Sequence, residues 1–239
     1  MILCLDCGNT RIKWGLLAPS GEWHARGAMP LAQVDNLRAA LIDQPDFDRV
    51  VGCNVAGAEN AERIAAQLQV EPEWIVPQRE QCGVRNGYKK AAQLGADRWA
   101  SLIAARTLQE GPCLVVNAGT ATTVDLLEGD GRFRGGVILP GLNLMRAALA
   151  HNTADLPLAN AAHHTTPTDT DSAIVSGTLE ATAGAIERMY ARLDDATAVC
   201  LLSGGAAAEI VPLLQIPVQT VDDLVLRGLA CIALSDNRS

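Results

Sequence analysis

Aromatic side chains are scarce in this chain, at 3% of 239 residues, too few to build the stacking platforms that grip single-stranded nucleic acids. Positive charge is short as well. Lys and Arg number 19 against 27 Asp and Glu, giving a net charge of −8 at pH 7, so the chain offers no electrostatic footprint for nucleic acid or an anionic membrane. No apolar stretch approaches 18 residues, and Met1 runs straight into Ile2-Leu3-Cys4-Leu5 with no basic leader and no cleavage site. A membrane span and a secretory signal are therefore not expected, and a cytoplasmic protein is. The usual nucleotide fingerprints are missing too: nothing matches a Walker A loop, and no Gly-x-Gly-x-x-Gly follows a strand.

What is present is an ordinary folding composition, 49% hydrophobic and 19% charged, ample for a packed core. The seven cysteines, an odd number, stand mostly in apolar runs and read as reduced core residues. Cys4 and Cys7 have metal-like spacing. Two further zinc ligands at suitable spacing are not evident, and in an extended segment the two sulfurs face opposite ways, so packing is the favoured reading. His163-His164 carries no triad or ligand pattern and reads as a solvated pair.

The length allows one large domain or two small ones, and an internal repeat favours two. A strand at 2–5 ends in Asp6-Cys7-Gly8-Asn9-Thr10, is followed by a strand at 12–17, and returns through a turn at Pro19-Ser20-Gly21. The plan recurs 111 residues later, where 114–116 end in Asn117-Ala118-Gly119-Thr120-Ala121, followed by 124–127 and a turn at Gly129-Asp130-Gly131. Two such copies suggest duplicated domains, 1–110 and 111–239; two plain hairpins in one sheet is the alternative. Helices are predicted at 31–42, 58–68, 96–108, 142–149, 172–193 and 224–233, and further strands at 49–53, 74–76, 198–202 and 218–220. The mixture implies α/β sheets covered by helices. The aperiodic segment 151–171 is expected to be a long loop.

Gly8 and Gly119, each after a strand, would let backbone N–H groups approach phosphate oxygens. Asp6, at a strand's end, suits Mg²⁺, which keeps most of its hydration shell. Lys13 reads either as a phosphate contact or as a solvated strand lysine. Asp97 reads either as a favourable first-turn helix carboxylate or as the group that takes a substrate hydroxyl proton, with Arg98 meeting a substrate anion. Gly204-Gly205 would let a backbone approach an adenine or ribose, or is a plain strand-to-helix turn.

Together these residues resemble the type III pantothenate kinases. Asp6, Cys7, Gly8, Asn9, Thr10, Arg11, Ile12 and Lys13 look like the family's Asp-x-Gly-Asn-Thr pattern followed by Lys. Gly95-Ala96-Asp97-Arg98 is similar to its Gly-x-Asp-Arg motif, and Gly119-Thr120-Ala121-Thr122-Thr123 to its second phosphate motif, in the same order. The likeness spans nearly the whole chain, including Ser203-Gly204-Gly205 and Leu226-Arg227-Gly228-Leu229.

The resemblance implies an α/β fold of two RNase H-like, actin-like domains with mixed sheets flanked by helices and ATP in the cleft between them, usually as a homodimer. It implies a phosphotransferase with an alcohol acceptor, using ATP to turn pantothenate into 4′-phosphopantothenate in the first step of coenzyme A biosynthesis. On the matching positions, ATP contacts Asp6, Cys7, Gly8, Asn9, Thr10, Arg11, Ile12 and Lys13 together with Gly119 and Thr120. Pantothenate contacts Tyr88, Gly95, Ala96, Asp97, Arg98 and Thr170, and Asp97 is the proton acceptor. Mg²⁺ accompanies ATP. A monovalent cation, K⁺ or NH₄⁺, is held in the family partly by an Asp where this chain has Asn117, which removes a full charge from that place. Asp125 is a further candidate for Mg²⁺ or water. Two rival readings stand beside this one: a sugar or carboxylate kinase of the same superfamily, and a binding protein acting in gene regulation. The presence of Asp6, Asp97 and both turns argues against lost catalysis, and the acidic balance against DNA contact.

Overall fold

The computed structural model describes residues 1–236. In chain order its elements are strands β1 (Ile2–Cys7), β2 (Arg11–Leu17) and β3 (Trp23–Pro30), helix α1 (Leu37–Leu41), β4 (Arg49–Asn54), α2 (Ala58–Gln67), the short strands β5 (Glu73–Trp74), β6 (Glu80–Gln81) and β7 (Val84–Arg85), and α3 (Ala96–Leu108). There follow β8 (Cys113–Ala118), β9 (Ala121–Leu127), β10 (Phe133–Pro140), α4 (Leu142–Asn152), α5 (Thr170–Tyr190), β11 (Val199–Ser203), α6 (Ala207–Ile210), β12 (Val218–Thr220) and α7 (Leu224–Asp236).

Two five-stranded sheets have the same plan, β3-β2-β1-β4-β5 and β10-β9-β8-β11-β12. In the first, β2 is antiparallel to β1 and to β3, while β4 runs parallel to β1 and to β5. In the second, β9 is antiparallel to β8, and β11 is parallel to β8 and to β12. Equal strand order in two separate sheets favours the duplicated reading over two hairpins in one sheet.

The chain divides into two compact units. The first holds Met1–Leu108, Gly131–Phe133 and the described residues from Asp223 on; the second holds Gln109–Asp130 and Arg134–Asp222. A cut near residue 110 assigns α7 to the second half, whereas α7 belongs to the first unit. The reason is burial: its Leu226, Leu229, Ala230 and Ala233 pack with Ile2 and Cys4 of β1 and Ala96 and Ala100 of α3.

In the first unit β1 is covered on both faces, which is why it reads as a continuous apolar run. Leu3, Leu5 and Cys7 face α1 and α2 through Leu37, Leu41 and Ile64. Ile2 and Cys4 face α3 and α7. Each fully buried Leu in these layers contributes about 1.5–3 kcal/mol. In the second unit the long helix α5 lays Ile174, Val175, Leu179, Ile186 and Met189 on Leu114, Val116, Val124 and Leu126 of β8 and β9. Asp169 starts α5 by accepting from Ser172 N at 2.9 Å, a capping bond that also holds its carboxyl below the usual range.

The predicted helices are helices, with ends moved by a few residues, except that 31–42 begins as a 3₁₀ stretch, Leu31–Asn36, interrupted at Gln33 (φ −104, ψ 18). The β6–β7 hairpin has no hydrophobic alternation to announce it. Its turn uses two left-handed residues, Cys82 (φ 48) and Gly83 (φ 77), the backbone that two-residue hairpins favour.

Where α7 crosses α3, Gly228 lies so close that an added Cβ would run into the Ala100 carbonyl. Gly184, within α5, has nothing within 4 Å of the same position. Gly228→Ala is therefore expected to cost about 2–3 kcal/mol in urea unfolding, while Gly184→Ala gains about 0.5–1 kcal/mol. Equal effects of the two changes would refute the close helix crossing.

Candidate active site

Alternation along β1 carries Asp6 onto the face of Ile2 and Cys4, the one covered by α3 and α7. Asp97 lies in the first turn of α3 and Asp223 stands directly before α7. Three carboxylates thus come within electrostatic reach of one another. The Asp6 carboxyl is pushed up to about 6 from 3.8, first by burial, with Asp97 and Asp223 adding to the rise and Lys13 opposing it. The Cys53 thiol, beside Asp6 on β4, lies 3.5 Å from its Oδ1.

Lys13 is the direct cross-strand partner of Asp6, yet its ammonium donates to Asp223 Oδ1 at 3.1 Å, and Arg26 Nη1 donates to Asp223 Oδ2 at 3.2 Å. A cavity of about 320 Å³ is lined by Lys13, Arg26, Gly27, Ala28 and Asp223. Lys13 is thus ion-paired beside a cavity, unlike the solvated lysine of the blander reading.

The β1–β2 turn corrects one expectation. Gly8 N donates to Arg11 O at 3.1 Å, so its N–H closes the turn, and an added Cβ would stand 3.3 Å from that oxygen. The turn presents Asn9, Thr10 and Arg11 at the surface, while Cys7 and Ile12 are buried in the core. Burial pushes the Cys7 thiol up to about 11. These two residues can meet a ligand by backbone alone.

Gly95, Ala96, Asp97 and Arg98 open α3. Asp97 Oδ1 accepts from Arg98 N at 2.8 Å, so it serves the helix start while also facing Asp6. A Cβ at Gly95 would stand 2.5 Å from Asp97 Oδ1, so a side chain there would have to displace the Asp97 carboxylate. Arg98 is 3% exposed. Its Nη1 donates to Tyr88 Oη at 3.0 Å, and its guanidinium lies 5.8 Å and 5.9 Å from the ring centroids of Tyr88 and Phe133. Tyr88 and Phe133 stack at 5.6 Å. Asn86 Oδ1 accepts from Tyr88 N at 3.0 Å and its Nδ2 donates to Ala91 O at 3.3 Å, bracing the loop. Tyr88 and Arg98, both expected to contact the acceptor, therefore touch each other. Sequence reasoning missed Asp223, Arg26, Asn86 and Phe133. Only the Asp222-Asp223 pair ahead of an apolar helix gave a signal, a helix-start pattern.

In the second unit, Gly119 N donates to Ala121 O at 3.1 Å and Gly141 N to Thr120 O at 2.9 Å. Asn117 is partly buried on β8, opposite Thr123. The hydroxyls of Thr122 and Thr123 are buried without a hydrogen-bond partner. Asp125 is fully buried on β9, which removes it from direct solvent access. Gly204 (φ 108) packs against the Ala118 carbonyl. Thr170 is the exposed first residue of α5. The histidine pair is not simply solvated: His163 Nε2 lies 2.9 Å from Glu180 Oε1 and His164 N donates to Ser176 Oγ at 3.0 Å, tying residues 163–164 to α5.

Known structures share this architecture. A proposed Baf-family transcriptional activator from Campylobacter jejuni matches with TM-score 0.65 at 20% identity, covering 99% of this chain and all of its own. A proposed 2-dehydro-3-deoxygalactonokinase from Sinorhizobium meliloti gives 0.58 at 16%, covering 99% of each. A proposed N-acetylmannosamine kinase from Listeria monocytogenes gives 0.57 at 13%, covering 100% and 99%. Likeness at this level fixes the fold, which is the actin-like α/β class shared by sugar kinases. The family follows from sequence: the model of the type III pantothenate kinases matches residues 2–192. The type III pantothenate kinase of Aromatoleum aromaticum is 54% identical over 241 residues, covering 99% of each chain, and that of an Azoarcus species 49%, covering 99% of this chain and 92% of its own. The chain belongs to the type III pantothenate kinase family.

The raised Asp6 carboxyl has a stability consequence of known sign. Above pH 6 the ionised form is disfavoured by folding, and that cost fades as pH falls through 6 toward 3.8. Asp6→Asn is expected to raise the melting temperature by roughly 2–5 °C at pH 8, with the gain vanishing near pH 4. A gain that persists unchanged at pH 4 would show that burial of the charge is not its cause.

Proposed function

We propose that this chain phosphorylates pantothenate with ATP, giving 4′-phosphopantothenate for coenzyme A biosynthesis. The observation that carries this reading is the convergence of Asp6, Lys13 and Asp97 in the first unit, at positions that match the family's motifs. The β1–β2 turn, Asp6 to Lys13, supplies nucleotide contacts, and Gly119 and Thr120 form the corresponding turn of the second unit. Phosphoryl transfer passes through a loose transition state, so placement and charge neutralisation matter more than a strong base. Asp97 orients the acceptor hydroxyl and takes its proton as the bond to phosphorus forms. Tyr88 and Arg98, locked together by their hydrogen bond, and Gly95 and Ala96 hold the acceptor. Thr170 is assigned to it as well.

Kinases of this family act with ATP and a divalent metal, and we assign Mg²⁺. Asp6 fits it: a carboxylate at the end of β1, its ionised form disfavoured by burial and by the neighbouring Asp97 and Asp223, would gain from an ion that retains most of its own water, and among the described residues no cluster of three or more His, Cys, Asp or Glu is arranged to hold a metal. Bound Mg²⁺ supplies neutralisation of phosphate charge. A monovalent cation, K⁺ or NH₄⁺, is assigned to the neighbourhood of Asn117, supported by the unpartnered buried hydroxyl of Thr123 across from it. No helix among the described residues is long and apolar enough to cross a membrane. We place the protein in the cytoplasm as a homodimer, without nucleic-acid partners.

A coupled ADP-release assay tests the substrate: turnover is expected with pantothenate, faster with K⁺ than without, and not with glucose, glycerol or acetate. Asp97→Asn is expected to lower kcat by about 10² with ADP binding little changed; turnover within about threefold of wild type would remove Asp97 from its role. The dimer reading draws on exposed apolar side chains of the second unit, Ile138, Leu144 and Leu158 at 63%, 50% and 68%. Light scattering should give a dimer for the wild type and a monomer for Leu144→Glu with Ile138→Asp. A monomeric wild type would refute it.

A further inference from the structure

Lys13 of β2 pairs with Ala28 of β3, and Arg26 lies two residues back along β3 on the same face. The two cations are diagonal cross-strand neighbours and repel unless something bridges them. Asp223 bridges them, one carboxylate oxygen to each, at 3.1 Å and 3.2 Å. To do so it adopts φ 53, uncommon for any residue but glycine, while its carbonyl accepts from Arg227 N at 3.0 Å as α7 begins.

We propose that Asp223 is a positioning residue for the nucleotide site: it holds the Lys13 ammonium to one side and keeps it from pairing with Asp6. Lys13 and Asp6 are direct cross-strand partners, so Asp6 is the counter-ion at hand if Asp223 is removed. That pairing would take both the lysine and the carboxylate out of phosphate and metal binding. The inference rests on the reading of Asp6 to Lys13 as a nucleotide contact.

Removing the Asp223 charge acts in two opposed ways. It lowers the negative potential around an incoming phosphate, which favours binding, but this effect is weakened by water and salt around a partly exposed group. It also releases Lys13 toward Asp6, which disfavours binding and, in this geometry, dominates.

A double-mutant cycle read by calorimetric ADP binding separates these effects. Asp223→Asn keeps a short polar side chain that tolerates positive φ and removes the charge. It is expected to weaken ADP binding by roughly fivefold or more when Lys13 is present and by less than about twofold in a Lys13→Met background. Asp223→Glu should restore most of the loss. If the amide variant does not fold, Asp223→Gly, which accepts the positive φ without a carboxylate, takes its place with the same expected outcome. Binding as tight as wild type or tighter in the Lys13 background, or equal losses in both backgrounds, overturns the proposal. A wild-type chain that binds ADP but ignores pantothenate overturns the substrate reading alone; one that fails to bind ADP overturns both.

Discussion

The burial of β1 on both faces is the constraint from which the first unit's site follows. A strand sandwiched between two helix layers must present apolar residues alternately to each, and Leu3, Leu5 and Cys7 go one way while Ile2 and Cys4 go the other. The next residue on the second face is Asp6. Because α3 and α7 cover that face and begin beside the strand's last residues, their first polar groups meet Asp6. The site is thus assembled by the ends of three buried elements, and its precision comes from the packing behind it. Ala100 and Gly228, where α3 and α7 touch, set the spacing of helices whose starts carry Asp97 and Asp223.

This arrangement is unfavourable in the chain alone. Three carboxylates share one region with Lys13 and Arg26, and the rise of the Asp6 carboxyl to about 6 means that neutral pH keeps it ionised against its surroundings. Proteins tolerate such groups mainly where function requires them. In the proposed reading Asp6 and Lys13 are the groups that would meet the metal and the phosphate, and such a ligand would offset the cost of burying them.

Much of this was readable from residues alone. The repeat of strand, polar turn and strand announced both sheets, since each turn follows a run apolar enough to be central. Asp6, Asp97 and Lys13 were visible because short motifs fix them locally. Asp223 was not, because its partners Lys13 and Arg26 lie 210 and 197 residues away and no local pattern encodes a pairing of that range. The placement of α7 failed for a related reason: an apolar helix declares that it will be buried, not which sheet will bury it. Arg98 was expected to meet a substrate anion, and its lock with Tyr88 and Phe133 depends on residues 131–133 folding back onto the first unit, which spacing along the chain does not reveal.

The duplication is preserved in backbone and broken in charge. Asp6 and Asn117 hold equivalent places, each near the end of a central strand paired on one side with an antiparallel neighbour and on the other with a parallel one. One is a carboxylate whose ionisation is disfavoured by burial; the other is an amide with no charge to place. Across from the amide stands the buried hydroxyl of Thr123, which donates or accepts without net charge. A second carboxylate there would add repulsion toward any phosphate near the Gly119 turn. Its absence leaves the Asn117 amide oxygen as a neutral ligand for the monovalent cation proposed there, while paired charge is concentrated in the first unit, where Asp223 meets both Lys13 and Arg26.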